Sequence, residues 1–339
     1  MGRGGFPPSE TGSFSAHYTA TWVDFNVLYP CFLSVVLEAS ASDTVPAVFP
    51  ARLSLALPGE AKHLNKSVFP RLFHIGNFYL PTYGVLVATG VLIGLWISVR
   101  NSEKQGINGD DAWNLGIFMV LAGIIGAKIL YIINDWSTYA EHWREIFSLN
   151  TLQAGGVFSG GLIGALIVGA WYMRSHRMPP LRTTDAFAPG LAFGHVLGRL
   201  GCFSAGCCFG KPTNHFWGVT FTNPLAYSIS GTPLNVRIEP TQLIEAAAEL
   251  FNFFLLMWLL QRKKFDGQVF AAFMILYGVE RFFIEFLRDD PGRGEVFGGI
   301  MSGTQLIAIL LVLGGGLIWW YKSSSQLPAL TAQKSRSGI

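Results

Sequence analysis

Two sets of residues in this sequence carry charge or protons at spacings that put each set on one helical face. Tyr277, Arg281, Glu285 and Arg288 recur at i, i+4, i+8 and i+11, and His195, Arg199 and Cys202 at i, i+4 and i+7. Both sets lie inside apolar stretches, where a buried ionisable group costs about 2.5–3.5 kcal/mol or more at mid-membrane depth. Such residues persist when they are paired, when they reach the interface, or when they work. Arg281 and Glu285 could merely neutralise each other at i, i+4. Arg199, near the end of its stretch, could snorkel, and so could Lys128. Glu245, on a further apolar stretch, is a carboxylate available to either arginine. Two arginines without an obvious surplus of carboxylates point to an external anion. A guanidinium matches phosphate in a bidentate fork, and in a membrane the common phosphate is a lipid headgroup.

The elements that must hold these residues are apolar helices. Half of the 339 residues are hydrophobic and only 13% are charged, against about 25% charged in soluble domains. The net charge of +3 is spread along the chain, without the basic stripe that nucleic-acid binding needs. A membrane helix takes about 20 mostly apolar residues. Seven stretches qualify: Leu80–Val99, Ala112–Ile133, Gly155–Met173, Asp185–Phe203, Pro240–Leu260, Gly267–Phe286 and Gly303–Tyr321. The expected fold is an all-α polytopic membrane protein of about seven transmembrane helices with a small extracytoplasmic cap.

Arg100 and Lys104, then Arg174, Arg177 and Arg182, then Arg262, Lys263 and Lys264, and last Lys322, Lys334 and Arg336 fall in alternate connections and the tail. By the positive-inside rule that side is cytoplasmic. The N-terminus and the segment 204–239 then face outward. Gly90 and Gly94, Gly160 and Gly164, and Gly190, Gly194 and Gly198 recur every fourth residue, a spacing that lets helices approach closely. Residues 1–68 read as a disordered or mis-assigned extension, rich in Gly, Pro and Ser at its start. A signal peptide ending near Ala39-Ser40-Ala41 and a later start near Val68 are the alternatives. Residues 69–322 form the seven-span domain and 323–339 a cytoplasmic tail.

Five stretches together resemble the prolipoprotein diacylglyceryl transferase family. They are LPTYG at Leu80–Gly84, GGVFSGGLIG at Gly155–Gly164, GLAFGHVLGRLGCFSAGCCFGKPT at Gly190–Thr213, EPTQLIEA at Glu239–Ala246 and YGVERFFIEFLRDDPGR at Tyr277–Arg293. The resemblance implies a multi-pass enzyme of the bacterial cytoplasmic membrane. It would move the sn-1,2-diacylglyceryl group of phosphatidylglycerol to the lipobox cysteine of a prolipoprotein signal peptide, without metal or soluble cofactor. Its partners would be that lipid, that peptide and the surrounding membrane lipid. On this resemblance Arg199 corresponds to the essential phospholipid-binding arginine and Arg281 to a second essential arginine, with Tyr83, Gly210, Tyr277 and Glu285 at further site positions. Asp185 and Glu245 correspond to further family carboxylates.

The sequence departs from the family where protons are handled. The usual His-Gly-Gly-Leu element reads Ser159-Gly160-Gly161-Leu162, and Cys202 stands where the signature has asparagine. A thiolate, not a thiol, is the nucleophile, so some group must take its proton. His195, one turn from Arg199, is the candidate base; a packing histidine is the alternative. Cys202, Cys207 and Cys208 could form a Cys202–Cys207 disulfide, remain inert thiols or bind a soft metal. Two other functions stay open: a related phospholipid-dependent transferase with a different acceptor, and a binding or transport protein for an anionic lipid.

Overall fold

The computed structural model describes residues 70–75, 78–147, 151, 156–289, 295–296 and 299–336. The expected N-terminal extension, with its alternatives, lies outside the described residues. The chain is mostly helical: α1 Thr82–Lys104, α2 Gly109–Asn134, the short α3 Trp136–Glu141, α4 Phe158–Ser175, α5 Pro180–Ala205, the short α6 Pro224–Ser230, α7 Thr241–Leu260, α8 Gln268–Ile284 and α9 Gly303–Arg336. Among the described residues, each expected apolar stretch lies mainly on one of the longer helices.

Four of these helices are long and apolar enough to cross a membrane: Thr82–Lys104, Gly109–Asn134, Thr241–Leu260 and, within α9, Gly303–Ser324. The other three fall short for visible reasons. Helix α4 has Arg174 in its last turn, α5 carries Arg182, Asp185 and Arg199, and α8 has only 17 residues. Large apolar side chains stand exposed on the long helices, among them Trp96, Ile125, Ile167, Phe254, Phe283 and Leu317. Exposed apolar surface on this scale is the signature of a lipid-facing wall.

Local chemistry sets the helix ends. Asn108 caps α2 by accepting from the backbone N–H of Asp110 at 2.8 Å, and Asp110 and Asp111 sit where the helix dipole favours negative charge. Pro180 opens α5, and Gly206, at φ +83°, closes it in the left-handed region. Asp185 is fully buried and accepts from the backbone N–H of Gly267 at 2.8 Å and of Phe270 at 2.9 Å, and from Lys263 Nζ at 2.9 Å. It therefore ties the start of α8 to α5, which is a structural task.

Helix α5 is central. It packs on α1, α7 and α8, while α2 pairs with α4 and α8 with α9. A Cβ at Gly94 would come within 2.6 Å of the Gly190 carbonyl oxygen, so α1 and α5 meet backbone to backbone there. Gly198 departs from the expectation: nothing lies within 4 Å of the position a Cβ would take, so that face is open beside Arg199. Three two-stranded antiparallel sheets complete the fold: β1 Arg71–Ile75 with β2 Phe78–Pro81, β3 Val219–Thr220 with β4 Arg237–Ile238, and β5 Glu295–Val296 with β6 Met301–Ser302. The β3–β4 pair and α6 build the segment between α5 and α7.

Candidate active site

Three helices each turn a polar face toward the others. Helix α7 contributes Gln242, Glu245, Glu249 and Asn252, all buried. Their spacing of i, i+3, i+7 and i+10 keeps them on one side of an otherwise apolar helix. Helix α5 contributes His195, Arg199 and Cys202, and α8 contributes Tyr277, Glu280 and Arg281, with Glu285 just past its end.

The arginines share one carboxylate. Arg199 Nη2 lies 2.7 Å from Glu245 Oε2, and Arg281 Nη1 lies 3.4 Å from Glu245 Oε1. Arg281 Nη2 also lies 3.0 Å from Glu285 Oε2. All of these side chains are at most 13% exposed. With Glu245, Glu249, Glu280 and Glu285 in the cluster, the expected shortage of carboxylates does not hold. The case for an external anion moves to one atom: Arg199 Nη1 is buried and has no hydrogen-bond partner. A buried unsatisfied donor on a charged group is costly enough to require a reason.

His195 Nδ1 lies 3.4 Å from Glu249 Oε1, and its ring sits 5.2 Å from that of Tyr277. The histidine side chain is 42% exposed while Glu249 is 2% exposed. Tyr83, on α1, packs against Cys202, Cys207 and Cys208, whose sulfurs lie within 4.8 Å of one another. Cys202 is a free buried thiol, so the Cys202–Cys207 disulfide does not form. The Cys207 and Cys208 carbonyls are held by Gln242 Nε2 at 2.6 Å and Thr241 Oγ1 at 2.7 Å. These bonds fix the turn after α5 onto the start of α7.

Some expected site positions also pack helices together. Gly160 sits against Gly126 and Leu130 of α2, and Gly161 against the Gly123 carbonyl, with Ser159 half-buried beside them. These residues pack α4 on α2. Lys128 does not simply snorkel, because its Nζ donates to the Thr151 carbonyl at 2.6 Å. Arg288 leaves the expected helical face: α8 ends at Ile284, and Arg288 is extended, fully buried and bridged to Gly210. Gly210 is needed where it stands, since a Cβ would come within 2.6 Å of the Glu239 backbone oxygen.

In the segment between α5 and α7, Glu239 ties loops together. His215 Nδ1 lies 2.7 Å from its Oε1, and Trp217 Nε1 donates to its Oε2 at 2.8 Å. Burial pushes this carboxyl up, but hydrogen bonds from Thr213, His215 and Trp217 outweigh it and hold the group below its ordinary 4.5.

An arginine pair bridged by a buried glutamate, with one guanidinium nitrogen held open, suits recognition of a phosphate. Residues 70–321 match the family described as prolipoprotein diacylglyceryl transferase. The chain belongs to that family. It is 36% identical over 247 residues to the phosphatidylglycerol–prolipoprotein diacylglyceryl transferase of Clostridium tetani, covering 73% of this chain and 94% of the relative. It is 33% identical over 238 residues to a Clostridium perfringens protein of that name, numbered 2, covering 70% and 89%. A Synechocystis transferase is 32% identical over 277 residues, covering 78% and 94%.

For a prolipoprotein diacylglyceryl transferase, the residues that sequence reasoning passed over are Glu249, Gln242 and Asn252. Asn252 Nδ2 donates to Glu280 Oε2 at 2.9 Å. The signal was available: four polar residues at helical spacing in a stretch that is otherwise apolar.

Proposed function

We propose that this protein transfers the sn-1,2-diacylglyceryl group from phosphatidylglycerol to the lipobox cysteine of prolipoprotein signal peptides, the first step of bacterial lipoprotein maturation. It would act in the bacterial cytoplasmic membrane, crossing it seven times with its N-terminus outside and its C-terminus in the cytoplasm. The seven long helices, their exposed apolar side chains and the alternating basic connections support that topology. Residues 204–239 would form an outward cap over the site.

The observation that carries the reading is Arg199. One of its nitrogens is fixed by Glu245, and the other is buried without a partner. The lipid phosphate would take that open nitrogen, with Arg281 behind it. Bond breaking between the glycerol carbon and the phosphate oxygen leaves charge on a phosphate monoester. Guanidinium groups in a dry site stabilise that charge more than they would in water. Tyr277 and Tyr83 would line the lipid's path, and Glu245 and Glu285 would hold the arginines in place. Cys202 and Gly210 would shape the wall behind Arg199, and Ser159, Gly160 and Gly161 the outer face of the lipid's entry. His195 would accept the proton of the peptide thiol.

The full chain in vesicles containing labelled phosphatidylglycerol, given a lipobox peptide, should form a thioether-linked product. Arg199→Gln should reduce the rate by roughly 100- to 1000-fold, the cost of one lost charge-stabilising donor. Release of glycerol phosphate without modified peptide would support a different acceptor, the reading that Ser159 and Cys202 motivate. Lipid movement without covalent change would support a transporter.

A further inference from the structure

Glu249 has no task in the reading above, yet it is among the most expensive residues in the protein. It is a carboxylate, 2% exposed, on a helix apolar enough to cross a membrane. Its Oε2 is buried and has no hydrogen-bond partner. Glu245, one turn away, differs in having both oxygens on arginines, and Glu280 accepts from Asn252. Among the described residues, the hydrogen-bonding contact of Glu249 is His195 Nδ1, at 3.4 Å.

We infer that Glu249 is the positioning residue for His195 in the proton transfer that activates the peptide thiol; the inference rests on the transferase reading. In this arrangement the Glu249 carboxylate accepts and His195 Nδ1 carries the proton between them. Nε2 then carries the lone pair and is the basic atom. The imidazole is 42% exposed while its partner is enclosed, so the ring can meet a substrate from one side and is held from the other. The groups facing it are Glu249 from α7, the Tyr277 and Phe273 rings from α8, and Arg199 one turn along α5. None of the others can accept the Nδ1 proton as an anion does.

The step balances. The thiol proton passes to His195 Nε2 as sulfur bonds to the glycerol carbon. The carbon–oxygen bond breaks, and its electron pair leaves with the phosphate monoester. The imidazolium is stabilised by Glu249 until it returns the proton to that monoester. A glutamine at 249 could accept from Nδ1, but it would offer no charge when the imidazolium forms.

The test uses the full chain in phosphatidylglycerol vesicles with a lipobox peptide, reading thioether formation. Failure of the wild-type protein to form thioether would sink the transferase reading itself, before any variant is compared. Given wild-type activity, Glu249→Gln should lower kcat on the order of 100-fold, as expected when a general base keeps its place but loses the carboxylate that orients and charges it. KM for the lipid should stay within about twofold, since Glu249 does not touch the phosphate-binding nitrogen. Glu249→Asp should recover part of the rate. In a His195→Gln background, Glu249→Gln should cost nothing further, because residues that act as a unit are not additive. Wild-type kcat in Glu249→Gln, or independent losses that multiply in the double variant, would overturn the assignment. Rates are expressed per folded protein recovered in the vesicles, so poor insertion of Glu249→Gln is not counted as an independent loss in either background.

Discussion

The described residues hold two histidine–glutamate pairs, and they are built for opposite ends. In the cap, Glu239 is 8% exposed and both of its oxygens are occupied, by His215 at 2.7 Å and by Trp217 at 2.8 Å. Its backbone is occupied too: its carbonyl accepts from Gly210 and its N–H donates to Lys211. His215 is 60% exposed, lies tilted against Trp217 and also meets Thr213 Oγ1 at 3.0 Å. Water reaches it freely, so proton transfer there gains nothing from the protein. Between α5 and α7 the contact is longer, at 3.4 Å, and the carboxylate is more deeply enclosed, with one oxygen unused. A saturated pair at the surface latches loops together. An unsaturated pair in an apolar wall costs stability and holds reactivity in reserve.

The sharpest way to break this contrast is to remove each histidine in turn. His195→Gln should lower the rate of thioether formation by roughly 100- to 10,000-fold, the range for a general base. His215→Gln should leave the rate within about twofold, as expected of a solvent-exposed loop contact. Rates measured side by side in the same vesicles give the answer. A large loss in His215→Gln with little in His195→Gln would move the chemistry to the cap and reverse the assignment.

What could be read from the sequence follows the same division. A lipid-facing helix must be apolar around most of its circumference, so the seven stretches and the four qualifying spans stand out without knowledge of their neighbours. Arg199, Arg281 and Glu285 stand out for the complementary reason, as charges where charge is expensive. The sharing of Glu245 by both arginines was not legible, because it depends on how three helices rotate about one another. Arg288 was misplaced because nothing between Phe286 and Arg288 signals a helix end; the nearest breaker is Pro291. Glu249 was legible in principle, four residues after Glu245 on the same face, but its partner lies 54 positions earlier in the chain.

The cap pair should matter more for stability than the span pair, and this inverts the order seen for activity. Glu239→Ala removes hydrogen bonds to a buried carboxylate, at a cost of about 1–3 kcal/mol. The loss should fall toward the lower end, because half-exposed Trp217 and His215 can turn to water. Glu249→Ala removes one long contact and an uncompensated buried charge, so its Tm should fall less than that of Glu239→Ala. Thermal unfolding of both variants in the same detergent checks the ranking. A larger loss for Glu249→Ala would make that residue a structural element and weaken the distinction between the pairs.

The smallest effect is the pH response of the latch. Glu239 is held below its ordinary 4.5 in the folded protein by hydrogen bonds from Thr213, His215 and Trp217, against the opposing effect of burial. A carboxyl depressed on folding stabilises the folded state fully above its unfolded value, and that stabilisation fades as pH falls through the lower folded value. Glu239→Gln keeps the shape and loses the charge. The Tm difference between wild type and Glu239→Gln should therefore be greatest near neutral pH and should shrink as the pH drops below 4.5. Trp217→Phe, which removes one of the depressing hydrogen bonds, should lessen that pH-dependent part without abolishing it, since His215 and Thr213 remain. A Tm difference that stays constant from neutral to acid pH would mean that Glu239 acts through shape alone, and the cap pair would then be a packing contact instead of a charged latch.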